Sequence, residues 1–166
     1  CLALGAGGSA VLCGGADGVV RVHSLASGGP PRLLSGHSGA ITSVAGRPHS
    51  SWIASASVDG TVRVWRDPDK PVVLSGHRGA VRALAFSPDG TLLASAGSDG
   101  TARVHTLTGL GSGRAESPEI LDEHDGPLRS IAFNITGSHA LTLGEDGTAC
   151  LWDSDGDARV FKGRDE

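Results

Sequence analysis

The chain has 166 residues, of which 39% are hydrophobic, so it is long enough and apolar enough to fold around a buried core. Its formal net charge of −4 at pH 7 argues against a nucleic-acid partner, because proteins that bind nucleic acids usually carry a basic excess. No apolar run could cross a membrane, and the N-terminal residues lack the pattern of a signal peptide. We therefore expect a cytoplasmic protein without a membrane partner, with nuclear or cytoskeletal association as alternatives.

Short runs of β-branched residues between turn signals predict an all-β fold. At the N-terminus, Cys1 and Leu4 fall in a first strand. Three units of four strands follow, and Asp-Gly turns join the second and third strands of each unit as tight hairpins. The predicted strands are 41–46, 52–57, 61–66 and 72–74; then 81–86, 92–96, 101–105 and 119–121; then 128–133, 140–143, 148–152 and 158–161.

An internal repeat organises these strands. LSGHSGAITSV recurs as LSGHRGAVRAL and, more weakly, as LDEHDGPLRSI, with His37, His77 and His124 separated by 40 and 47 residues. Each of these histidines precedes residue 65, 105 or 152 by 28 residues. The seven extra residues of the third unit follow His105, and the segment TLTGLGSGRAESPE is predicted to be an elongated surface loop.

The cysteines and glycines give no sign of a metal or a cofactor. Cys1, Cys13 and Cys150 have no CxxC spacing, so we predict neither a disulfide framework nor a zinc site and interpret them as small buried hydrophobes. The glycines lie at turn positions, so none forms a loop that would cradle a phosphate. We expect no cofactor and no metal.

A period of about 40 residues, four short strands in each unit and the Gly-His and Trp-Asp markers resemble the WD-repeat β-propeller family. The resemblance implies four consecutive four-stranded antiparallel blades, 1–34, 35–74, 75–121 and 122–161, with 162–166 starting a further repeat. Family members mostly close with six to eight blades, so we expect an open arc that is part of a longer propeller. A complementary half on another chain, or self-association of two arcs, are the alternatives.

In this family a His, a Ser or Thr, an Asp and a Trp form a buried hydrogen-bonded tetrad in each blade. Buried polar groups in a small sheet must find partners, and these residue types can satisfy one another. At position 105 histidine replaces tryptophan, which keeps a donor but loses apolar area, so we expect a weaker third blade. The implied tetrads are His37, Ser55, Asp59 and Trp65; His77, Ser95, Asp99 and His105; and His124, Thr142, Asp146 and Trp152.

The resemblance also implies a non-catalytic scaffold that binds proteins or peptides along a rim. Arg82 and Arg129 would lie on neighbouring blades and could bind an acidic or phosphorylated peptide, although Glu145 and Asp125 could instead offset their charge. A regulatory sensor arm attached to an enzymatic domain elsewhere in a longer chain is the first alternative, and a hydrolase with a His/Ser/Asp set is a less favoured one. The implied rim residues are Ala40, Thr42, Val58, Arg78, Ala80, Arg82, Ser98, Pro127, Arg129 and Glu145.

Overall fold

A computed structural model describes residues 1–66, 70–110 and 117–163. Within these ranges the chain forms sixteen strands and one 3-10 turn, Ala6–Gly8. Every strand predicted in the second, third and fourth units is present, with ends that differ by at most one residue. The strands are β1 Leu2–Gly5, β2 Ala10–Gly14, β3 Val20–Ser24, β4 Arg32–Leu34, β5 Ile41–Gly46, β6 Ile53–Ser57, β7 Val62–Trp65, β8 Val72–Leu74, β9 Val81–Phe86, β10 Leu92–Gly97, β11 Ala102–Thr106, β12 Glu119–Leu121, β13 Leu128–Phe133, β14 Ala140–Gly144, β15 Thr148–Trp152 and β16 Ala158–Lys162.

The strands form four sheets of four antiparallel strands, each in sequence order: β1–β4, β5–β8, β9–β12 and β13–β16. The first strand of each sheet packs against the first strand of the next, so β1, β5, β9 and β13 form the inner row. The described part of the chain is therefore an open arc of four propeller blades, as the family resemblance implied.

Tight turns fix the order of strands within each sheet. Gly60, Gly100 and Gly147 follow the aspartates of the turns between the second and third strands, with φ of 82°, 82° and 76°. A residue with a Cβ is strained in this left-handed region, so glycine is the residue that allows the hairpin to close. This is why the Asp-Gly pairs mark the same place in successive units.

The hydrophobic core lies between neighbouring sheets. One cluster joins the first and second sheets around Leu12, Val20 and Trp65. A second cluster joins the second and third sheets, and a third joins the third and fourth around Leu128 and Trp152. Because each sheet buries apolar area only against its neighbours, the stability of one blade depends on the next.

The prediction of a surface loop after His105 is wrong for its first part. Thr106 ends β11, and Leu107 and Leu110 are only 2% and 5% exposed within the core between the second and third sheets. The N–H of Leu107 donates to the carbonyl of Thr91 at 2.8 Å. Residues 111–116 of the predicted loop lie outside the described ranges. The two leucines anchor the start of this segment because their burial removes apolar surface from water.

The cysteines differ from one another in exposure. Cys150 is buried, but Cys1 is exposed and Cys13 is half-buried, so the expectation of three buried thiols is wrong. Across the described residues no group of His, Cys, Asp or Glu side chains is arranged to hold a metal ion. No helix among them is long and apolar enough to span a membrane.

Candidate functional site

The second sheet contains a linked set of four polar side chains. The ring of His37, in the loop before β5, lies 2.9 Å through Nδ1 from Oδ2 of Asp59 and 2.9 Å through Nε2 from Oγ of Ser55. The indole Nε1–H of Trp65 donates to the same serine oxygen at 2.8 Å. A neutral imidazole protonated on Nδ1 satisfies all of these groups, since it donates to Asp59 and accepts the hydroxyl proton of Ser55.

The fourth sheet repeats this arrangement with threonine as the hydroxyl. Nε2 of His124 lies 2.7 Å from Oγ1 of Thr142, and its Nδ1 lies 3.1 Å from Oδ2 of Asp146. The indole of Trp152 donates to Oγ1 of Thr142 at 2.8 Å. The two sets are equivalent because each residue occupies the same strand, loop or turn position in its sheet.

The third sheet keeps three members of the set. Nδ1 of His77 lies 3.1 Å from Asp99, and Nε2 lies 2.9 Å from Oγ of Ser95. His105 is only 6% exposed. No hydrogen bond within the described residues joins its ring to Ser95, so the expected N–H donor to this serine is not observed. Leu107 and Leu110 add buried apolar area between this sheet and the second sheet.

Each aspartate of these sets also organises the backbone around it. Asp59 accepts hydrogen bonds from the N–H of Ser38 at 3.0 Å and from both the N–H and the hydroxyl of Thr61 at 2.9 and 2.7 Å. One carboxylate therefore ties the loop before the sheet to the turn between its second and third strands. The third and fourth sheets use the same contacts, from Arg78 and Thr101 to Asp99 and from Asp125 and Thr148 to Asp146.

The first sheet uses a different partner for its aspartate. Asp17 binds the guanidinium of Arg21, with Nη2 to Oδ2 at 2.6 Å, and accepts the N–H of Val19 at 3.2 Å. The two side chains are 49% and 38% exposed, so the pair is a surface ion pair of small stabilising effect.

The residue before two of the histidines is glycine because an arginine side chain leaves no room there for a Cβ. Gly36 has φ of 148°, and a Cβ there would lie 2.8 Å from Nη1 of Arg63; Gly76 stands in the same relation to Arg103, with φ of 136°. In the fourth sheet the arginine position holds Cys150, and Glu123 takes the place of the glycine. The small thiol leaves room for a side chain before the histidine, so the two positions change together.

Burial and hydrogen bonding set the charges of these groups. Burial lowers the pKa of His37 and His77 in spite of the nearby aspartates, so both rings are neutral near pH 7. Burial also lowers the pKa of His105, to about 4. Partial burial would raise the pKa of Asp99, but hydrogen bonds from the N–H of Arg78 and from His77 outweigh it and bring the pKa to about 2.

The hydroxyls of these sets are enclosed. Ser55, Ser95 and Thr142 are each 0% exposed, and two of them already accept an indole N–H. A nucleophile must reach its substrate, and these oxygens lie inside their sheets. The arrangement can therefore cross-link strands, but it offers no open centre for hydrolysis.

The predicted rim residues lie together at one end of the strands. In each of three sheets a backbone hydrogen bond joins the residue before the turn aspartate to the residue before the first strand. Adjacent sheets are also linked, since the hydroxyl of Thr42 donates to the carbonyl of Val81. The backbone bonds run from Val58 to Ala40 at 3.0 Å, from Ser98 to Ala80 at 2.8 Å and from Glu145 to Pro127 at 2.8 Å.

The rim arginines share one carboxylate. Nη1 of Arg82 lies 2.6 Å from Oε1 of Glu145, and Nε of Arg129 lies 3.5 Å from the same oxygen. The side chains of Arg82 and Arg129 are 35% and 69% exposed, and Arg78 is exposed in the adjoining loop. The hydrogen bond from Arg82 lowers the pKa of Glu145, so this carboxylate is ionised at neutral pH. The rim thus carries a cluster of arginines whose positive charge is partly neutralised by Glu145.

Sequence reasoning missed one residue that links the second and third sheets. Arg66 stands where the family pattern has aspartate, and its guanidinium lies 4.5 Å from the ring centre of Trp52, while that of Arg47 lies 4.3 Å from the same ring centre. Arg66 also donates to the carbonyl of Leu110 at 2.7 Å. The departure from the pattern at 66 and the leucine at 110 were the available signals, but only the fold brings them together.

The model of the family described as WD domain, G-beta repeat matches residues 28–66, 69–106 and 116–153. This chain belongs to the WD40 repeat family. Repeats of this family generally mediate interactions between proteins. Over 63 residues, 38% of this chain, it is 35% identical to WD repeat and HMG-box DNA-binding protein 1 of Xenopus laevis. The matched segment is 6% of that protein, so the chain spans a small part of the relative's length.

Proposed function

We propose that the WD40 chain is a non-catalytic scaffold whose rim binds a protein partner. The observation that carries this proposal is the rim itself: the same backbone bond holds equivalent residues in three successive sheets, beside exposed arginines. A surface held in place by strands loses little conformational entropy when a partner binds. The His, Ser or Thr and Asp residues are already engaged with one another inside each sheet, which supports a structural role for them.

The partner chemistry that best suits the rim is an acidic or phosphorylated peptide. Arg82 and Arg129 reach one carboxylate from neighbouring sheets, and arginine binds carboxylate and phosphate with paired donors. A phosphoryl group carries about two negative charges, so it competes for both arginines against the single charge of Glu145. In this proposal Glu145 holds the two side chains in position when no partner is bound.

Peptide arrays that contain acidic and phosphorylated sequences test this assignment. We expect Arg82→Glu with Arg129→Glu to weaken peptide capture by at least about tenfold, a loss of roughly 1.4 kcal/mol or more. We expect Glu145→Gln to strengthen the binding of phosphopeptides because it removes the internal competitor. Arg32→Glu with Lys70→Glu, at two exposed positions, is the control for net charge.

Two results would contradict the proposal. Undiminished capture by the double arginine variant would remove the rim from the binding surface. A hydrolytic activity that Ser55→Ala abolishes, in a chain that stays folded, would show that the enclosed hydroxyls are catalytic after all.

A further inference from the structure

A groove with a volume of about 310 Å³ lies between the third and fourth sheets. It is at the opposite ends of the strands from the rim, because its lining comes from the end of β11, the end of β13 and the β13–β14 turn. Its lining combines apolar side chains with polar ones that include Thr106, Ser117, Glu119, His139 and Asp153. The apolar lining residues are Leu92, Val104, Leu121, Phe133, Ala140 and Trp152.

The corresponding place between the second and third sheets is filled by the chain itself. Leu107 and Leu110 pack there in a cluster that contains Val64 and Leu74, with Phe86 against it. In the repeat, Val64, Leu74 and Phe86 correspond to Val104, Leu121 and Phe133 of the groove. Two leucine side chains, three residues apart in a turn, are therefore the natural occupant of this kind of site.

The sequence of the fourth unit explains why its groove is open. Leu107 and Leu110 come two and five residues after His105, and the same offsets from Trp152 give Ser154 and Asp157. Both of these are polar and exposed. Because neither side chain gains by entering an apolar pocket, the fourth unit does not fill the space that the third unit fills.

Two carboxylates, Glu119 and Asp153, line the groove. The carboxylate of Glu119 lies against Gly156, and Asp153 accepts only backbone N–H groups from Asp155 and Asp157, at 3.0 Å each. Within the described residues no ion pair neutralises Glu119 or Asp153. A segment with lysine or arginine beside its apolar residues complements this charge.

We propose that the groove between the third and fourth sheets is a docking site for a short segment of a partner protein with leucine-sized side chains at positions i and i+3 and basic residues beside them. The segment takes the place that Leu107 and Leu110 take between the preceding sheets. This site is separate from the rim, so the scaffold has two surfaces at which partners of opposite charge bind.

A labelled peptide tests the proposal by fluorescence anisotropy with the 166-residue chain. The probe is Lys-Lys-Leu-Thr-Gly-Leu-Lys-Lys, whose core copies residues 107–110. We expect saturable binding that weakens at least about tenfold when both leucines become alanine and also when the lysines become glutamate. Glu119→Lys, at an exposed position, should weaken binding in the same way, whereas Arg82→Glu on the rim should leave it within about twofold.

A variant with leucines in the fourth unit provides the strongest test of the proposal. Ser154→Leu with Asp157→Leu places leucines at the same sequence offsets from Trp152 that Leu107 and Leu110 have from His105, so we expect loss of peptide binding with no fall in the unfolding midpoint. Unchanged binding to this variant would overturn the proposal, as would absence of binding to the unaltered chain. Binding that appears only after residues 111–116 are deleted would assign the groove to the chain's own segment and would also overturn it.

Discussion

Replacement of His37 by alanine tests how much one polar set stabilises its sheet. The substitution removes two hydrogen bonds of 2.9 Å, one to the ionised Asp59 and one to Ser55. Both partners keep other bonds, since Trp65 still donates to Ser55 and the turn still donates to Asp59. The cost is therefore the loss of one charge-assisted and one neutral bond, about 2 to 4 kcal/mol in total.

Urea unfolding followed by circular dichroism measures this loss. With a slope of about 2 kcal/mol per molar urea, the midpoint should fall by about 1 to 2 M. His139→Ala is the matched control, because His139 lies in a turn and bonds only to its neighbours Asn134 and Ser138. A change for His37→Ala no larger than that of the control would refute the reasoning, since it would mean that the buried ring contributes nothing.

Three further predictions concern packing, backbone and pH. Leu110→Ala should lower the free energy of unfolding in denaturant by about 2 to 5 kcal/mol, because it empties a buried site. Thr108→Ala, at an exposed position, should change that free energy little. Equal effects of the two substitutions would show that the leucine is not anchored. Gly76→Ala should lower the free energy of unfolding by about 1 to 3 kcal/mol, because the backbone there is left-handed and a Cβ would meet Arg103. Adding Arg103→Cys to the same chain should recover part of this loss. Because the folded chain keeps His105 neutral down to about pH 4 and the unfolded chain protonates it near pH 6.5, the unfolding free energy should fall as the pH is lowered through that window. His105→Leu should make that fall smaller, and an identical pH profile for both chains would contradict the assignment.

The repeat predicted the fold because its markers belong to backbone structure. The Asp-Gly pairs set the hairpins, and the constant spacing of 28 residues from His37, His77 and His124 set the register of the strands. Once the register is known, the strand positions that share a sheet are known too. The grouping of the side chains that meet in the second and fourth sheets came from the family resemblance, which the matched spacing of the units allowed to be mapped onto this sequence.

The remaining features depend on side-chain reach and on loops, which periodicity does not describe. Arg82 and Glu145 are 63 residues apart and meet only because neighbouring sheets place them at one edge. Leu107 and Leu110 lie in a segment rich in glycine and serine, so composition favoured a surface loop. Their burial is visible only in the fold, which places them between the second and third sheets against Val64 and Leu74.

Hydrogen exchange of the tryptophan indole protons tests the central claim most directly, which is that the recurring polar side chains are cross-links inside each sheet. The Nε1–H groups of Trp65 and Trp152 bond to enclosed hydroxyls, whereas Trp52 is only half-buried. Solution NMR should show slow exchange for Trp65 and Trp152, with protection far above that of Trp52. Exchange at Trp65 and Trp152 as fast as at Trp52 would contradict the account.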